Sequence, residues 1–213
     1  MRRILATLTV LVACLFGLPA VAHAAPAPLG GGSPLFTLGG ARCNAAFAAT
    51  AGSTGYLIAG ANCPAGQLYS GADVLVGPVV AGEPTYSIVQ VTNTAAWTLV
   101  PWIDTGPGTA PIAGSTPAPV GGSVCLVDVR VGTRCGTVTA LNQTINFPTG
   151  PVSGLTRTSV CPEPGGGAVA FVSGDQAQGV PFGGSGNCSS GGVSYFMPVN
   201  RILSTYGLTL LTG

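Results

Sequence analysis

The sequence carries very little charge. Its 213 residues include 7 basic and 6 acidic residues, no lysine and a single histidine, His23. Binding to a phosphate backbone needs a cluster of basic residues, and there is none beyond Arg2 and Arg3, so nucleic acid is excluded as a partner. Disorder is excluded because 46% of the residues are hydrophobic. The length suits one domain that buries a real core.

Long apolar runs are absent except near the N-terminus. Two arginines precede an apolar run at 4–18, and the small-residue motif Ala-His-Ala follows at 22–24. This pattern is typical of a secretory signal peptide, 1–24, cleaved after Ala24. An uncleaved anchor is the alternative, but the run is shorter than the ~20 residues that span a bilayer. We therefore expect a secreted, extracellular protein that has no membrane span and, with His23 removed, no histidine.

Export decides how the cysteines are interpreted. Cys14 leaves with the signal peptide, and an even number remains in a chain bound for an oxidising compartment, which predicts disulfides. A zinc site is the competing interpretation, but the mature chain would contain no histidine and it has no C-x-x-C motif, so we expect neither metal nor cofactor. Six cysteines can pair in fifteen ways, and their spacing alone does not choose among them. The six are Cys43, Cys63, Cys125, Cys135, Cys161 and Cys188.

Short β-rich segments separated by Gly, Pro, Asn and Ser predict an all-β barrel or sandwich. Residues 25–39 are rich in Ala, Pro and Gly and predict a flexible lead-in to a domain at 40–213. A Pro- and Gly-rich stretch near 105–122 connects two halves of similar length. After Pro198, the apolar spacing up to Gly207 predicts a short C-terminal helix. The predicted strands are 54–58, 86–91, 124–131, 136–142, 168–172 and 193–197.

Several motifs, in order along the chain, resemble the secreted bacterial chymotrypsin-like serine proteases of the streptogrisin and α-lytic protease type. The resemblance covers essentially residues 40–213. The motifs are GARC at 40–43, GSTGYLIAG at 52–60, CGTVTALN at 135–142, GLTRTSVCPEPG at 154–165, QAQGV at 176–180, GGSGNCSSGG at 183–192 and ILSTYGLTLLTG at 202–213.

The resemblance implies a fold and a disulfide pattern. The implied fold is a double antiparallel β-barrel of six strands each, with the active-site cleft between the barrels and a short C-terminal helix. The implied disulfides are Cys43 with Cys63, Cys125 with Cys135, and Cys161 with Cys188.

The family's catalytic residues do not carry over. Its Ala-Gly-His-Cys motif becomes Ala-Gly-Ala-Asn-Cys, with Asn62 in place of the general base. Thr85 stands in the segment that holds the orienting Asp, and Gly167 stands where the family has its serine nucleophile. An amide cannot accept a proton at neutral pH and a glycine has no oxygen for attack. The three positions therefore predict a protease fold without protease chemistry.

Parts of the cleft are candidates for binding. The backbone of Gly165, Gly166 and Gly167 is a candidate for the family's oxyanion-binding N–H groups. Phe182, Gly183 and Gly184 match the family strand that pairs with an extended substrate. The alternative is that these glycines serve only tight turns. Phe182 replaces a small Ser, and Pro181 removes a backbone donor, so both changes could narrow the cleft.

Other chemistry-bearing residues are interpreted as structural. The acids are too scattered for a glycosidase or aspartic-protease motif and are interpreted as solvated loop carboxylates, although Glu163 directly precedes the altered nucleophile loop. Trp97 and Trp102 are interpreted as packing residues, with ligand stacking as the alternative. Arg157 is interpreted as an anchor of the fold. The acids are Asp73, Glu83, Asp104, Asp128, Glu163 and Asp175.

Two classes of function follow from the sequence. One is a secreted, non-catalytic protease homologue that binds a peptide or protein, and the other is a structural or envelope-associated β domain with a vestigial cleft. A hydrolase that works through non-standard residues is a distant third. An open cleft with unpaired N–H donors favours binding, whereas a cleft filled by Phe182 and Val169 favours the structural role. The sequence does not indicate an oligomeric state.

Overall fold

The computed structural model describes residues 25–163 and 167–213. The predicted signal peptide, 1–24, and the two candidate oxyanion residues Gly165 and Gly166 lie outside the described residues. The first half holds β1 (Ala27–Gly31), β2 (Pro34–Phe36), β3 (Arg42–Ala51), β4 (Thr54–Gly60), β5 (Gln67–Ser70), β6 (Val74–Glu83), β7 (Tyr86–Val91), β8 (Trp97–Asp104) and β9 (Thr109–Pro111). The second holds β10 (Ser123–Asp128), β11 (Arg134–Phe147), β12 (Gly150–Thr158), β13 (Ala168–Ser173), β14 (Gln176–Asn187), β15 (Gly191–Pro198), α1 (Val199–Tyr206) and β16 (Thr209–Leu210).

Most of the strands form two closed barrels, and β1, β8 and β9 form a separate three-stranded sheet. In the first half, the order β3-β2-β5-β6-β7-β4 is closed by pairing of β4 with β3, and β16 joins the far end of β3. In the second half, β10-β11-β12-β15-β14-β13 form a closed barrel. The all-β double-barrel architecture that the resemblance implied is therefore confirmed.

Residues 25–39 differ from the flexible lead-in predicted for them. They contain β1, which pairs in parallel with β8, and β2, which pairs with β3. Leu29 and Leu35 are fully buried. Gly31 is squeezed between β3 and β8, since a Cβ there would overlap the carbonyl of Ala46 and lie 2.6 Å from Ile103 Cγ1. Glycine permits this close approach of backbones, which local composition does not reveal.

The C-terminal helix forms where the apolar spacing predicts it. Val199, Ile202 and Leu203 are buried along one face of α1. Gly207 ends the helix in the left-handed conformation, with φ 61°, and its N–H bonds the carbonyl of Leu203. The helix thereby returns the chain to β3 of the first barrel through β16.

One apolar layer joins the two barrels. It combines side chains of the first barrel, such as Phe47 and Ile88, with side chains of the second, such as Leu155 and Val180, and with Ile202 of the helix. Two smaller clusters fill the interiors of the first and the second barrel. Among the described residues, no helix is long and apolar enough to cross a membrane.

All three disulfides implied by the resemblance are formed: Cys43–Cys63, Cys125–Cys135 and Cys161–Cys188. The third ties the segment before β13 to the turn between β14 and β15. It therefore fixes the loop that carries Glu163 relative to the β14–β15 hairpin.

Candidate functional site

An open cleft of about 340 Å³ lies between the two barrels. The first barrel contributes residues from the start of β3 and from the turn after β4. The second contributes residues of β10, β13, β14 and β15 and of the loop before β13. The lining residues are Asn44, Gly60, Ala61, Asn62, Leu126, Asp128, Pro162, Glu163, Ala168, Val169, Phe171, Pro181, Phe182, Gly183, Gly184, Ser194 and Tyr195.

Asn62 lies at the mouth of this cleft. It is exposed in the turn that follows β4. Its Nδ2 donates a hydrogen bond to the carbonyl of Arg42 at 3.2 Å. The Cys43–Cys63 disulfide joins the same two segments of the chain. The side chain is an amide that already donates to a backbone group. Asn62 can contribute a polar contact to a ligand, but it offers no general base.

Thr85 is buried and does not line the cleft. Its side chain is 1% exposed, and its Oγ1 has no hydrogen-bond partner among the described residues. The neighbouring Tyr86 pairs with Gly60, so Thr85 lies beside the strand end that leads to Asn62. Thr85 instead lies in the wall of a separate groove, which is also lined by Glu83 and Arg201. The structure therefore does not bring Asn62 and Thr85 into one cavity.

Tyr86, next to Thr85, is held in its neutral form. Burial, together with a hydrogen bond to Tyr206, raises the pKa of the Tyr86 phenol. The two rings meet edge to face with 6.0 Å between their centroids. Tyr86 therefore supports packing of α1 on the first barrel and supplies no base at neutral pH.

Gly167 is buried, and the space beside its Cα is already filled. Its carbonyl accepts the N–H of Val129 at 3.0 Å. A Cβ on Gly167 would overlap the carboxylate of Asp128 and would lie 2.7 Å from Arg130 Cγ. A side chain at the nucleophile position would therefore require the neighbouring β10 end to move.

The Asp128 carboxylate is fixed in this place by the turn that ends β10. Its Oδ1 accepts the N–H groups of Arg130 at 2.8 Å and of Val131 at 3.2 Å. The side chain is only 4% exposed, yet it lines the cleft. The sequence pattern predicts a strand through 124–131 and a solvated loop carboxylate at Asp128, whereas the strand ends at Asp128 and this residue is buried. The signal in the sequence is an Asp whose side chain can accept backbone N–H groups two and three residues ahead, which ends a strand in a turn.

Two acids reach the cleft. Glu163 lines it and lies 4.0 Å from Arg134. Asp128 is the other, while Asp73, Glu83, Asp104 and Asp175 do not line it. No group of three potential metal ligands occurs among residues 25–163 and 167–213.

The tryptophans and Arg157 lie elsewhere. Trp97 is buried and its Nε1 donates to the carbonyl of Leu75 at 2.8 Å, which fits a packing role. Trp102 lines a shallow groove beside β1. The Nη1 of Arg157 bonds Thr139 Oγ1 at 3.4 Å within the β11–β12 pair, which fits an anchoring role.

One edge of β14 is free where it borders the cleft. Residues of β14 from Gly179 to Asn187 pair with β15 on one side. On the other side, pairing with β13 reaches only to Gly179 among the described strands. Phe182, Gly183 and Gly184 therefore present an open strand edge at the cleft wall, and a Cβ on Gly183 would meet nothing within 4 Å.

The unpaired hydroxyl of Thr85 predicts an unusual response to substitution. Thr85→Val removes a buried group without a partner, so we expect the free energy of unfolding to rise by about 1 kcal/mol. Thr158→Val is the matched control, because Thr158 Oγ1 bonds Ser194 Oγ at 2.7 Å and accepts the N–H of Val160 at 3.1 Å. We expect that variant to lose about 1–3 kcal/mol. Denaturant unfolding measures both, and equal losses in the two variants would contradict the assignment.

The crowding beside Gly167 predicts that even one methyl group is costly there. We expect Gly167→Ala to lower the free energy of unfolding by about 1–3 kcal/mol, because Asp128 and Arg130 must shift. Gly108→Ala is the control, since a Cβ on that exposed glycine meets nothing within 4 Å. We expect the control to stay within about 0.5 kcal/mol of the parent. A Gly167→Ala variant as stable as the control would show that the space is free.

Comparison with known proteins places this architecture in a family. No protein-family model matches the chain. The chain is 42% identical over 206 residues to streptogrisin-C of Streptomyces griseus, covering 92% of this chain but only 45% of that protein. Serine protease 2 of Streptomyces fradiae is 35% identical, with 78% of this chain and all of that protein covered.

A solved structure agrees. Protease A of Thermobifida fusca superimposes with a TM-score of 0.72 at 37% identity, covering 88% of this chain and all of that one. The chain spans less than half the length of streptogrisin-C and all of the two shorter proteins. On these grounds the chain belongs to the bacterial chymotrypsin-like serine proteases, the family of the streptogrisins.

Proposed function

We propose that this chain is a secreted member of the family that does not cut peptides and whose cleft binds an extended peptide or protein segment. The observation that carries the proposal is the pair formed by Gly167 and Asp128. The position that matches the nucleophile has no side chain, and the Asp128 carboxylate fills the adjoining space. A carboxylate held by two backbone N–H groups is strongly stabilised as an acceptor and is a poor stand-in for an activated serine.

The other two positions support the same proposal. The Asn62 amide donates a hydrogen bond to a backbone carbonyl, and Thr85 is buried and does not line the cleft. Among the described residues there is no histidine or lysine that could act as the base. When a complete triad is removed from a serine protease, activity falls by about a millionfold.

The open cleft favours binding over a purely structural role. Phe182 and Val169 form part of its wall and leave a cavity of about 340 Å³ between the barrels. The cleft is thus not filled by Phe182 and Val169, the arrangement that would have favoured a structural role. The free edge of β14 supplies backbone groups that an extended segment can pair with.

Secretion agrees with the covalent structure. The chain carries three disulfides, which form and persist in oxidising compartments. Cleavage after Ala24 remains a prediction, because residues 1–24 lie outside the described part of the chain.

A serine-reactive fluorophosphonate probe tests the loss of catalysis. We expect the mature protein to remain unlabelled under conditions in which an active streptogrisin is fully labelled. We expect Gly167→Ser to remain unlabelled as well, because the new hydroxyl has no base and competes with Asp128 for space. Labelling of the parent protein at any serine would overturn the proposal.

A further inference from the structure

An apolar groove continues from the cleft along the free edge of β14. We call it the aromatic groove, and it has a volume of about 480 Å³. It is walled by the end of β11 on one side and by β14 and β15 on the other. Its residues are Ile145, Phe147, Phe182, Gly183, Gly184, Ser185 and Tyr195.

Two phenylalanines shape the aromatic groove. Phe147 and Phe182 meet edge to face, with 5.7 Å between ring centroids and an angle of 88° between ring planes. Phe147 is nevertheless 41% exposed, at the end of the β11 strand. An aromatic ring left in water beside an open apolar groove gains contact area if a bulky apolar side chain enters.

The adjoining cleft has the opposite character, because the charged residues that line it are acids. Asp128 and Glu163 line it, and no Arg of residues 25–163 or 167–213 does. Arg134 lies 4.0 Å from Glu163, at the limit of an ion pair, so this carboxylate is only weakly engaged. The complementary ligand group is a cation that can reach past the aromatic residues to the two carboxylates.

The aromatic groove and the cleft share one stretch of backbone. Phe182, Gly183, Gly184 and Tyr195 line both cavities. A peptide that pairs as a strand with Gly183 and Gly184 advances about 3.3 Å per residue. Two of its side chains that lie a few residues apart can therefore enter the cleft and the aromatic groove. The three features, an unpaired strand edge, an aromatic groove and an acidic cleft, select an extended peptide as occupant.

We propose that the occupant is an extended peptide segment that carries a bulky apolar side chain and, roughly one to three residues away, an arginine or lysine. The apolar side chain packs against the exposed side of the Phe147–Phe182 pair, and the basic side chain approaches Glu163 and Asp128. This inference rests on the proposed peptide-binding function and specifies its ligand class.

A randomised peptide library tests the ligand class on the mature parent protein. Immobilised protein is incubated with decapeptides, and retained peptides are sequenced. We expect enrichment of Phe, Leu, Ile, Tyr or Trp paired with a nearby Arg or Lys. Retention without this pairing, or with acidic residues enriched, overturns the ligand class and leaves peptide binding intact. Retention of no peptide overturns both the ligand class and the proposed function.

Two variants then locate the binding groups, with the dissociation constant of one enriched peptide as readout. We expect Phe147→Ala and Glu163→Gln to weaken binding by about tenfold and about threefold, respectively. Leu141→Ala and Glu83→Gln are the controls, since Leu141 is 45% exposed on the same strand as Phe147 and neither residue lines the cleft or the aromatic groove. Unchanged affinity in both test variants overturns the placement. Thermal unfolding checks that each variant is folded, and the library result on the parent protein stands independently of them.

Discussion

The apolar layer between the two barrels is the contact on which the rest of the structure depends. Each barrel closes on its own hydrogen bonds, and apolar side chains of each, such as Phe47 and Leu155, are buried in one cluster that contains residues of both halves. The C-terminal helix adds Ile202 to the same layer. Because the layer fixes how the barrels meet, it also fixes the cleft along their seam. The walls of the cleft therefore depend on core packing and not on the side chains at positions 62, 85 and 167.

Within that seam, the three positions singled out by the family motifs have different surroundings. Beside Gly167 the space is occupied by Asp128, which the turn after β10 holds through two backbone N–H groups. At Thr85 a buried hydroxyl has no hydrogen-bond partner in the part of the chain that the structure describes, which is a cost that packing of the surrounding core must offset. The side chain of Asn62 donates a hydrogen bond to the backbone carbonyl of Arg42. Among the described residues, Asn62 and Thr85 line different cavities, whereas the wall formed by β14 faces open space.

The sequence predicted most where side-chain pattern and local chemistry agree. Alternating β-branched residues predicted the strand at 86–91, and apolar spacing with a terminal glycine predicted the helix ending at Gly207. The sequence did not predict the strands β1 and β2, because glycine-rich segments have low strand propensity. What holds β1 in place is the close approach of its backbone to neighbouring strands at Gly31. Glycine and proline also concealed the length of β14. The family motifs located Asn62, Thr85 and Gly167, but the role of Asp128 depends on a contact between β10 and β13 that is distant in sequence.

Mass spectrometry of the bound ligand tests most directly whether the cleft holds peptides without cutting them. The mature protein is incubated with a pool of peptides for many hours, the complexes are isolated, and the masses of bound and unbound peptides are determined. Bound peptides recovered at full length, with no shortened products in the pool, are the predicted result. Recovery of truncated peptides whose formation depends on the protein would contradict the account.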